Sequence, residues 1–463
     1  MNAPAPLDFA VSLNPATGEE LARYPFQTPA ELDHALGRSA DAYRHWRQVS
    51  VQGRADVLVT VAAALRRLSE PLARCMTLEM GKPILQARAE VEKCADLCAW
   101  YAAQGPELLA PEPTQVPGDK AFIEYRPIGP ILAVMPWNFP IWQVLRGAVP
   151  ILLAGNTYVL KHAPNVMGCA LLLAEALREG GVPDGAFEVL NVGNQGVSTA
   201  IQDKRIAAVT VTGSVRAGAA IASQAGAALK KCVLELGGSD PFIVLADADL
   251  DEAVKAAAIG RFQNVGQVCI AAKRFIIEDS ILPAFTERFM ATVKAMQVGD
   301  PLVEGNYIGP MARFDLRDEL DGQVQQTLDE GATLLLGGHS LPGAGNYYAP
   351  TILGDVTPGM TSFKEELFGP VASIITCRDA EHAVALANDS EFGLAGSVWT
   401  ADVGLARHMA AQLDTGGVFI NGYCASDPRV AIGGVKKSGF GRELSHFGLR
   451  EFCNAQTVWV DRR

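Results

Sequence analysis

From residue 131 to residue 211 the chain alternates short apolar runs with helical periodicity. Residues 131–135, 158–161, 187–190 and 207–211 read as buried strands. Between them, the segment closing at Pro150-Ile151-Leu152-Leu153-Ala154-Gly155 and the segment 170–178, stopped by Gly180-Gly181, read as helices. Parallel strands can be joined only by crossovers, and a buried parallel sheet needs helices on its faces. The rhythm therefore predicts a doubly wound α/β sheet with functional residues at the C-terminal ends of its strands.

A second alternating region follows, with strands expected at 233–236, 242–245, 274–277, 333–337, 372–375, 397–400 and 417–421. Within it, Asp249 caps a helix whose apolar positions Leu250, Val254, Ala257, Ala258 and Phe262 recur at helical spacing. That helix runs into Gln263-Asn264-Val265-Gly266-Gln267-Val268-Cys269-Ile270-Ala271-Ala272. A thiol on a Gly/Asn/Gln-rich turn between helix and strand is backed by scaffold and open above, where a nucleophile is placed. Taken alone, a single cysteine is more often an inert buried residue.

The flanks are less informative. Residues 1–20 read as an irregular arm with a turn at Asn14-Pro15-Ala16-Thr17-Gly18. Residues 30–101 are helical, broken at Gly81-Lys82-Pro83, and carry no chemistry beyond packing. Pro111, Pro113 and Pro117 punctuate the next stretch, and Ala121-Phe122-Ile123-Glu124-Tyr125-Arg126 alternates like an exposed strand able to form an association surface. The tail ends in a strand, Thr457-Val458-Trp459-Val460, without a local partner.

Charge and cysteine usage exclude several function classes. With 39 Lys+Arg against 51 Asp+Glu the net charge is -12, which argues against nucleic acid and anionic membrane as partners. Nine cysteines, an odd number without a Cys-x-x-Cys pair, form no disulfide framework and point to a reducing compartment. Cys94 and Cys98 share a helix face, but no His completes a site, so no metal is expected. The start, Met1-Asn2-Ala3-Pro4-Ala5-Pro6, lacks the features of a signal peptide, and no apolar run is long enough to span a bilayer. A cytoplasmic protein is expected.

Three candidates follow strands. In Met135-Pro136-Trp137-Asn138-Phe139-Pro140 a proline-stiffened turn carries Asn138, whose NH2 suits one half of an oxyanion hole. Val211-Thr212-Gly213-Ser214 runs into a helix start, an arrangement that offers backbone N–H groups to a pyrophosphate, although it is neither a Walker loop nor a GxGxxG fingerprint. Leu234-Glu235-Leu236-Gly237-Gly238 places a carboxylate in apolar surroundings, where desolvation raises its pKa towards that of a usable base.

These stretches, with Gly266-Gln267-Val268-Cys269, Glu366-Leu367-Phe368-Gly369-Pro370 and Ser438-Gly439-Phe440-Gly441-Arg442-Glu443, make the chain resemble the NAD(P)-dependent aldehyde dehydrogenases over essentially its full length. Residues 160–169 and 419–427 look characteristic of the bacterial succinate semialdehyde dehydrogenases. The resemblance implies a Rossmann-like cofactor domain (1–113 and 129–232), an α/β catalytic domain (233–435) and an oligomerisation ribbon (114–128 with 451–463). It further implies a tail that pairs with a neighbouring subunit in a homodimer or homotetramer. Cys269 would attack the aldehyde as thiolate, Asn138 and the Cys269 N–H would hold the oxyanion, and Glu235 would activate water. Lys161 and Glu366 match positions that hold ribose hydroxyls, Phe368 packs near the nicotinamide, and Ser214 and Trp137 lie near the pyrophosphate. Gly213, Leu236 and Pro164 belong to the same cofactor cleft.

Two departures bear on specificity. NAD-preferring relatives place a Glu three residues after the ribose-binding Lys; here it is Pro164, which neither accepts a 2'-hydroxyl nor repels a 2'-phosphate, so NADP as well as NAD is expected. His162 is either a donor near the 2' position or a solvated loop residue. Arg146 stands where semialdehyde-specific members carry Arg, as expected for a distal carboxylate; the alternative is an ion-paired or solvent-facing Arg. The second Arg of some such enzymes is here Gln263, so Tyr423, Ser426 or Arg429 are the other expected contacts. Val268 and Ile270 flank Cys269 and leave it no adjacent thiol. The resemblance implies oxidation of succinate semialdehyde to succinate. The alternatives are a broader enzyme for glutarate semialdehyde or neutral aldehydes, a CoA-acylating enzyme, and a non-catalytic paralogue.

Overall fold

The computed structural model describes residues 8–118 and 120–461. The first seven residues of the expected arm, Asp119 of the expected ribbon and residues 462–463 of the tail lie outside the described residues.

Six strands form one sheet, in spatial order Gly439–Phe440, Lys231–Glu235, Ala208–Thr212, Pro130–Val134, Thr157–Lys161 and Phe187–Leu190. All neighbours are parallel except the Gly439–Phe440 edge. Four of the five residues of Pro130–Val134 are buried, which is why this sequence reads as a continuous apolar run rather than an alternation. Strand order reverses between Pro130–Val134 and Ala208–Thr212, and the chain leaves their C-terminal ends towards Asn138 and Gly213. Such a switch point leaves a crevice in which open α/β sheets bind ligands.

A second sheet of seven strands runs Thr333–Leu336, Thr351–Gly354, Val371–Cys377, Ala272–Glu278, Asp240–Val244, Gly396–Trp399 and Val418–Ile420. Only the Thr333–Leu336 edge is antiparallel. Phe242, Phe275, Phe285 and Phe289 pack as neighbouring rings in the core against this sheet. A third sheet joins Glu112–Pro113, Ala121–Pro127 and Cys453–Trp459.

Several expectations are corrected. The arm is a hairpin, Phe9–Leu13 against Glu20–Pro25, folded about the expected turn. The tail strand pairs antiparallel with Ala121–Pro127 of the same chain, from Cys453↔Pro127 to Trp459↔Ala121, and so forms the expected ribbon of 114–128 with the tail. Its partner is more than 300 residues upstream, so the family resemblance indicated it and local sequence did not. Glu112–Pro113 belongs to this ribbon rather than to the body. The boundary expected at 232/233 cuts through Lys231–Glu235, whose whole length pairs with Ala208–Thr212 in the first sheet. Both regions alternate strand with helix, so the periodicity carries no break there.

Candidate active site

Cys269 ends a turn of unusual backbone. The helix Leu250–Phe262 starts at Asp249, whose carboxylate accepts from Glu252 N at 3.2 Å, as the sequence predicts. It is followed by three residues with positive φ: Asn264 (52°), Val265 (58°) and Gly266 (71°). A β-branched residue in this region costs on the order of 1–3 kcal/mol and persists only where the surroundings enforce it. The surroundings here do so. Asn264 Nδ2 donates to Asn138 O (2.7 Å) and Gln267 O (3.2 Å), and Asn264 N donates to Gln86 Oε1 (2.7 Å). Gln267 Oε1 accepts from Ala312 N at 2.9 Å. The buried Arg261 guanidinium donates to the carbonyls of Gly266, Leu367 and Gly369. A side chain at Gly266 would collide with the Gly369 carbonyl, so only glycine fits. Lys273 Nζ donates to Cys269 O at 2.7 Å and leaves the half-buried thiol facing a cavity.

Asn138 is buried beside this turn. Its Nδ2 donates to Gln267 O at 3.0 Å, which uses one amide hydrogen and leaves the second. The following helix, Trp142–Leu153, is capped by a distant carboxylate: Glu90 Oε1 accepts from Ile141 N and Trp142 N, each at 2.9 Å. Glu90 is itself ion-paired with the buried Lys82, whose ammonium lies 3.7 Å from the centre of the Phe139 ring. The 84–108 region, expected to do no more than pack, thus fixes the loop that carries Asn138.

Glu235 ends its strand with 3% exposure, and its Oε1 has no hydrogen-bond partner within the protein. Burial raises its pKa to about 8, opposed by the Arg146 guanidinium and reinforced by Glu443. A β-carbon at Gly433 would stand 2.9 Å from Glu235 Oε1, so a side chain there would crowd the carboxyl. Burial likewise pushes the Cys269 thiol up to about 11, while the cations Arg146 and Lys273 pull it down.

A cavity of about 200 Å³ opens at the thiol. Cys269 lines it together with Arg146, Trp142, Gln263, Tyr423, Ser426 and Lys93. Three expected substrate contacts, Arg146, Tyr423 and Ser426, are therefore brought to the thiol. Arg146 is not free, however: its Nε faces the Glu443 carboxylate in a buried ion pair, and its Nη2 lies 3.4 Å from Thr212 Oγ1. Arg146 thus lines the cavity and, as the second sequence alternative has it, is ion-paired. Arg429 is exposed and held bidentately by Asp427 at 2.8 and 2.7 Å, outside the cavity.

Of the expected cofactor residues, Gly213 and Ser214 follow Ala208–Thr212 at the switch point. Gly213 presents open backbone, since a β-carbon there would meet no atom within 4 Å. Ser214 caps the helix Val215–Ala227 through Ala217 N at 3.3 Å, and Leu236 packs on Gly218 of that helix. A glycine-floored helix start of this kind fits a pyrophosphate. Lys161 is half-buried at its strand end, and burial lowers its ammonium below the ordinary lysine value. Glu366 Oε1 accepts from Gly238 N at 3.1 Å and lies 3.4 Å from Lys273 Nζ. Phe368 meets Trp137 edge to face, ring centres 5.7 Å apart. Pro164 opens the short turn Pro164–Val166 and is exposed. Both sequence alternatives for His162 are corrected: it is buried, with Nδ1 3.3 Å from Met135 O and Nε2 3.0 Å from Pro140 O, and burial lowers it to about 4.

Sequence reasoning missed Glu90, Lys93 and Glu443 as site residues. The spacing Glu90, Lys93, Leu97 puts charged groups on one helical face with apolar ones, which was the available signal. All nine cysteines are free thiols. Among the described residues, one group has the composition of a metal site: Cys75, Glu79 and Cys169. The Glu79 oxygens already accept from Gly168 N (2.9 Å) and Cys169 N (2.8 Å), which caps a helix.

The fold brings together a cavity-facing thiol, a buried carboxyl of raised pKa and a glycine-floored helix start at a strand-order reversal. Residues 6–458 match the aldehyde dehydrogenase family, and the chain belongs to that family. It is 65% identical over 457 residues to the NAD(P)+ succinate semialdehyde dehydrogenase Sad of Escherichia coli K12, covering 99% of each chain. It is 47% identical to a probable NADP+ succinate-semialdehyde dehydrogenase of Synechocystis sp., covering 97% of this chain and 99% of the relative. Among solved structures, the succinic semialdehyde dehydrogenase of Streptococcus pyogenes with NADP+ as the cofactor superposes with a TM-score of 0.95 at 36% identity. That match covers 97% of this chain and 99% of that one.

Proposed function

We propose that the chain oxidises succinate semialdehyde to succinate with NAD or NADP. The observation that carries this reading is the shared cavity, in which the Cys269 thiol and the Arg146 cation line one wall system. The named relatives support the same substrate.

Cys269 Sγ, as thiolate in the field of Arg146 and Lys273, adds to the aldehyde carbon and forms a thiohemiacetal. The free N–H of Asn138 and the Cys269 backbone N–H hold the oxyanion. Lys161, Glu366, Gly213, Ser214, Leu236, Trp137, Phe368 and Pro164 form the crevice for the dinucleotide, which when bound supplies the hydride acceptor. The carbon that has given up its hydride is left as an acyl thioester on Sγ. Glu235, as carboxylate, takes a proton from water; the hydroxide attacks the acyl carbon, the C–S bond breaks, and the acid leaves. Arg146, Tyr423 and Ser426 form the far wall that receives the rest of the substrate. No acidic residue occupies 161–166, so neither dinucleotide is repelled.

The chain works as a homodimer or homotetramer in the cytoplasm; the exposed outer side of Cys453–Trp459, an edge strand of its sheet, supports association. No helix among the described residues is long and apolar enough to cross a membrane. The test is product analysis. Succinate and NAD(P)H should form one to one without CoA, and Cys269→Ala should abolish both. A product that requires CoA overturns the reading.

A further inference from the structure

The far end of a charged aldehyde calls for a cation, and Arg146 is already matched by Glu443. A second cation lines the same cavity. Lys93 projects from the helix Ile84–Leu108; its Nζ donates to Ser426 Oγ at 2.8 Å and lies 4.1 Å from the centre of the Trp142 ring. Ser426 and Trp142 are both cavity walls, so the ammonium is held at the surface of that space. Among the described residues it forms no ion pair.

The carboxylates that act on Lys93 are committed elsewhere. Glu90 is taken by Lys82 and by two backbone amides of the next helix. Asp427 is held by both arms of Arg429. Arg146 repels Lys93, and burial lowers its ammonium to about 8. An amine kept in this state, desolvated, hydrogen-bonded to one hydroxyl and lacking a counter-ion, is stabilised by an incoming anion. A tetravalent nitrogen with three donors can keep Ser426 and still donate to a carboxylate.

We propose that the Lys93 ammonium binds the distal carboxylate of the substrate aldehyde and, with Arg146 compensated by Glu443, supplies the net positive charge that selects it. The proposal rests on the succinate semialdehyde reading and adds the residue that makes the selection. Ser426 then acts as a positioning residue that aims the ammonium.

The test compares wild type, Lys93→Met and Lys93→Arg on succinate semialdehyde and on butyraldehyde of similar length. A charge-assisted hydrogen bond of ordinary strength predicts that Lys93→Met loses about 20-fold or more in kcat/KM on succinate semialdehyde, mainly through KM. On butyraldehyde the same variant should change less than about threefold, which also reports that it folds, and Lys93→Arg should restore much of the loss. A wild type without preference overturns both the substrate reading and the role of Lys93. A selective wild type with an equally selective Lys93→Met overturns the Lys93 proposal alone. Equal losses on both aldehydes overturn it as well, because they show a structural role.

Discussion

Arg146 and Glu443 form an ion pair with side-chain exposures of 2% and 5%, and the two act on Glu235 in opposite directions. Arg146 favours the ionised base and Glu443 disfavours it. The pair therefore tunes the base as well as closing the cavity wall.

Arg146→Ala leaves the Glu443 carboxylate buried and unpaired. Breaking a buried pair from one side costs on the order of 3–5 kcal/mol. Glu235 also loses the cation that lowers its pKa, so its ionised fraction falls further. Denaturant melts should show that loss, and turnover should drop for butyraldehyde as well as for succinate semialdehyde. A variant within about 1 kcal/mol of wild type in stability contradicts the pairing.

The Glu235 carboxyl, raised to about 8, predicts that hydrolysis of the thioester accelerates as pH rises through that value. Acyl-enzyme breakdown, followed in single turnovers, should rise towards a plateau above it, and Glu235→Gln should abolish the rise. The stability effect has the opposite sense. The group ionises near 4.5 when unfolded and near 8 when folded, so its contribution is complete below 4.5 and lost as pH climbs to 8. Glu235→Gln should therefore melt above wild type at pH 8 and show no such gain at low pH. Melting curves with no pH-dependent difference contradict the shift.

Glu90 joins three elements: it pairs with Lys82 and caps the helix that carries Arg146. Glu90→Gln leaves the Lys82 ammonium buried without a counter-charge, at a cost of on the order of 3–5 kcal/mol. Because Phe139 packs on that ammonium next to Asn138, acylation should slow along with the loss of stability. A stable variant with unchanged burst kinetics contradicts this linkage.

Pro164→Glu tests the cofactor reading. Wild type should use NAD and NADP within about tenfold of each other, as a crevice without a carboxylate at this position permits. A new carboxylate repels a 2'-phosphate, so NADP should lose about 10- to 100-fold while NAD holds or improves. Equal effects on both cofactors contradict placement of the adenosine ribose at this turn.

Much of this was legible in the chain. Strand ends that present Asn138, Gly213 and Glu235, and the turn that presents Cys269, are local patterns of apolar runs followed by Gly, Pro or Asn. The helix break at 81–83 was equally local, and Gly81 adopts a φ of 78° there. What was not legible depends on contacts between distant segments. The Glu90 cap on Trp142–Leu153, the Glu443 counter-ion of Arg146 and the two carbonyls against His162 each join residues separated in sequence. The family resemblance singled out Arg146 as a pocket cation but did not show that the Glu443 carboxylate already faced it.

The central claim is a pocket built for a charged aldehyde, and it is tested most directly by wild-type kcat/KM for succinate semialdehyde against butyraldehyde. A desolvated cation–carboxylate contact predicts a ratio of about 100 or more, roughly 3 kcal/mol. A ratio near one would contradict it and make the protein a general aliphatic aldehyde dehydrogenase.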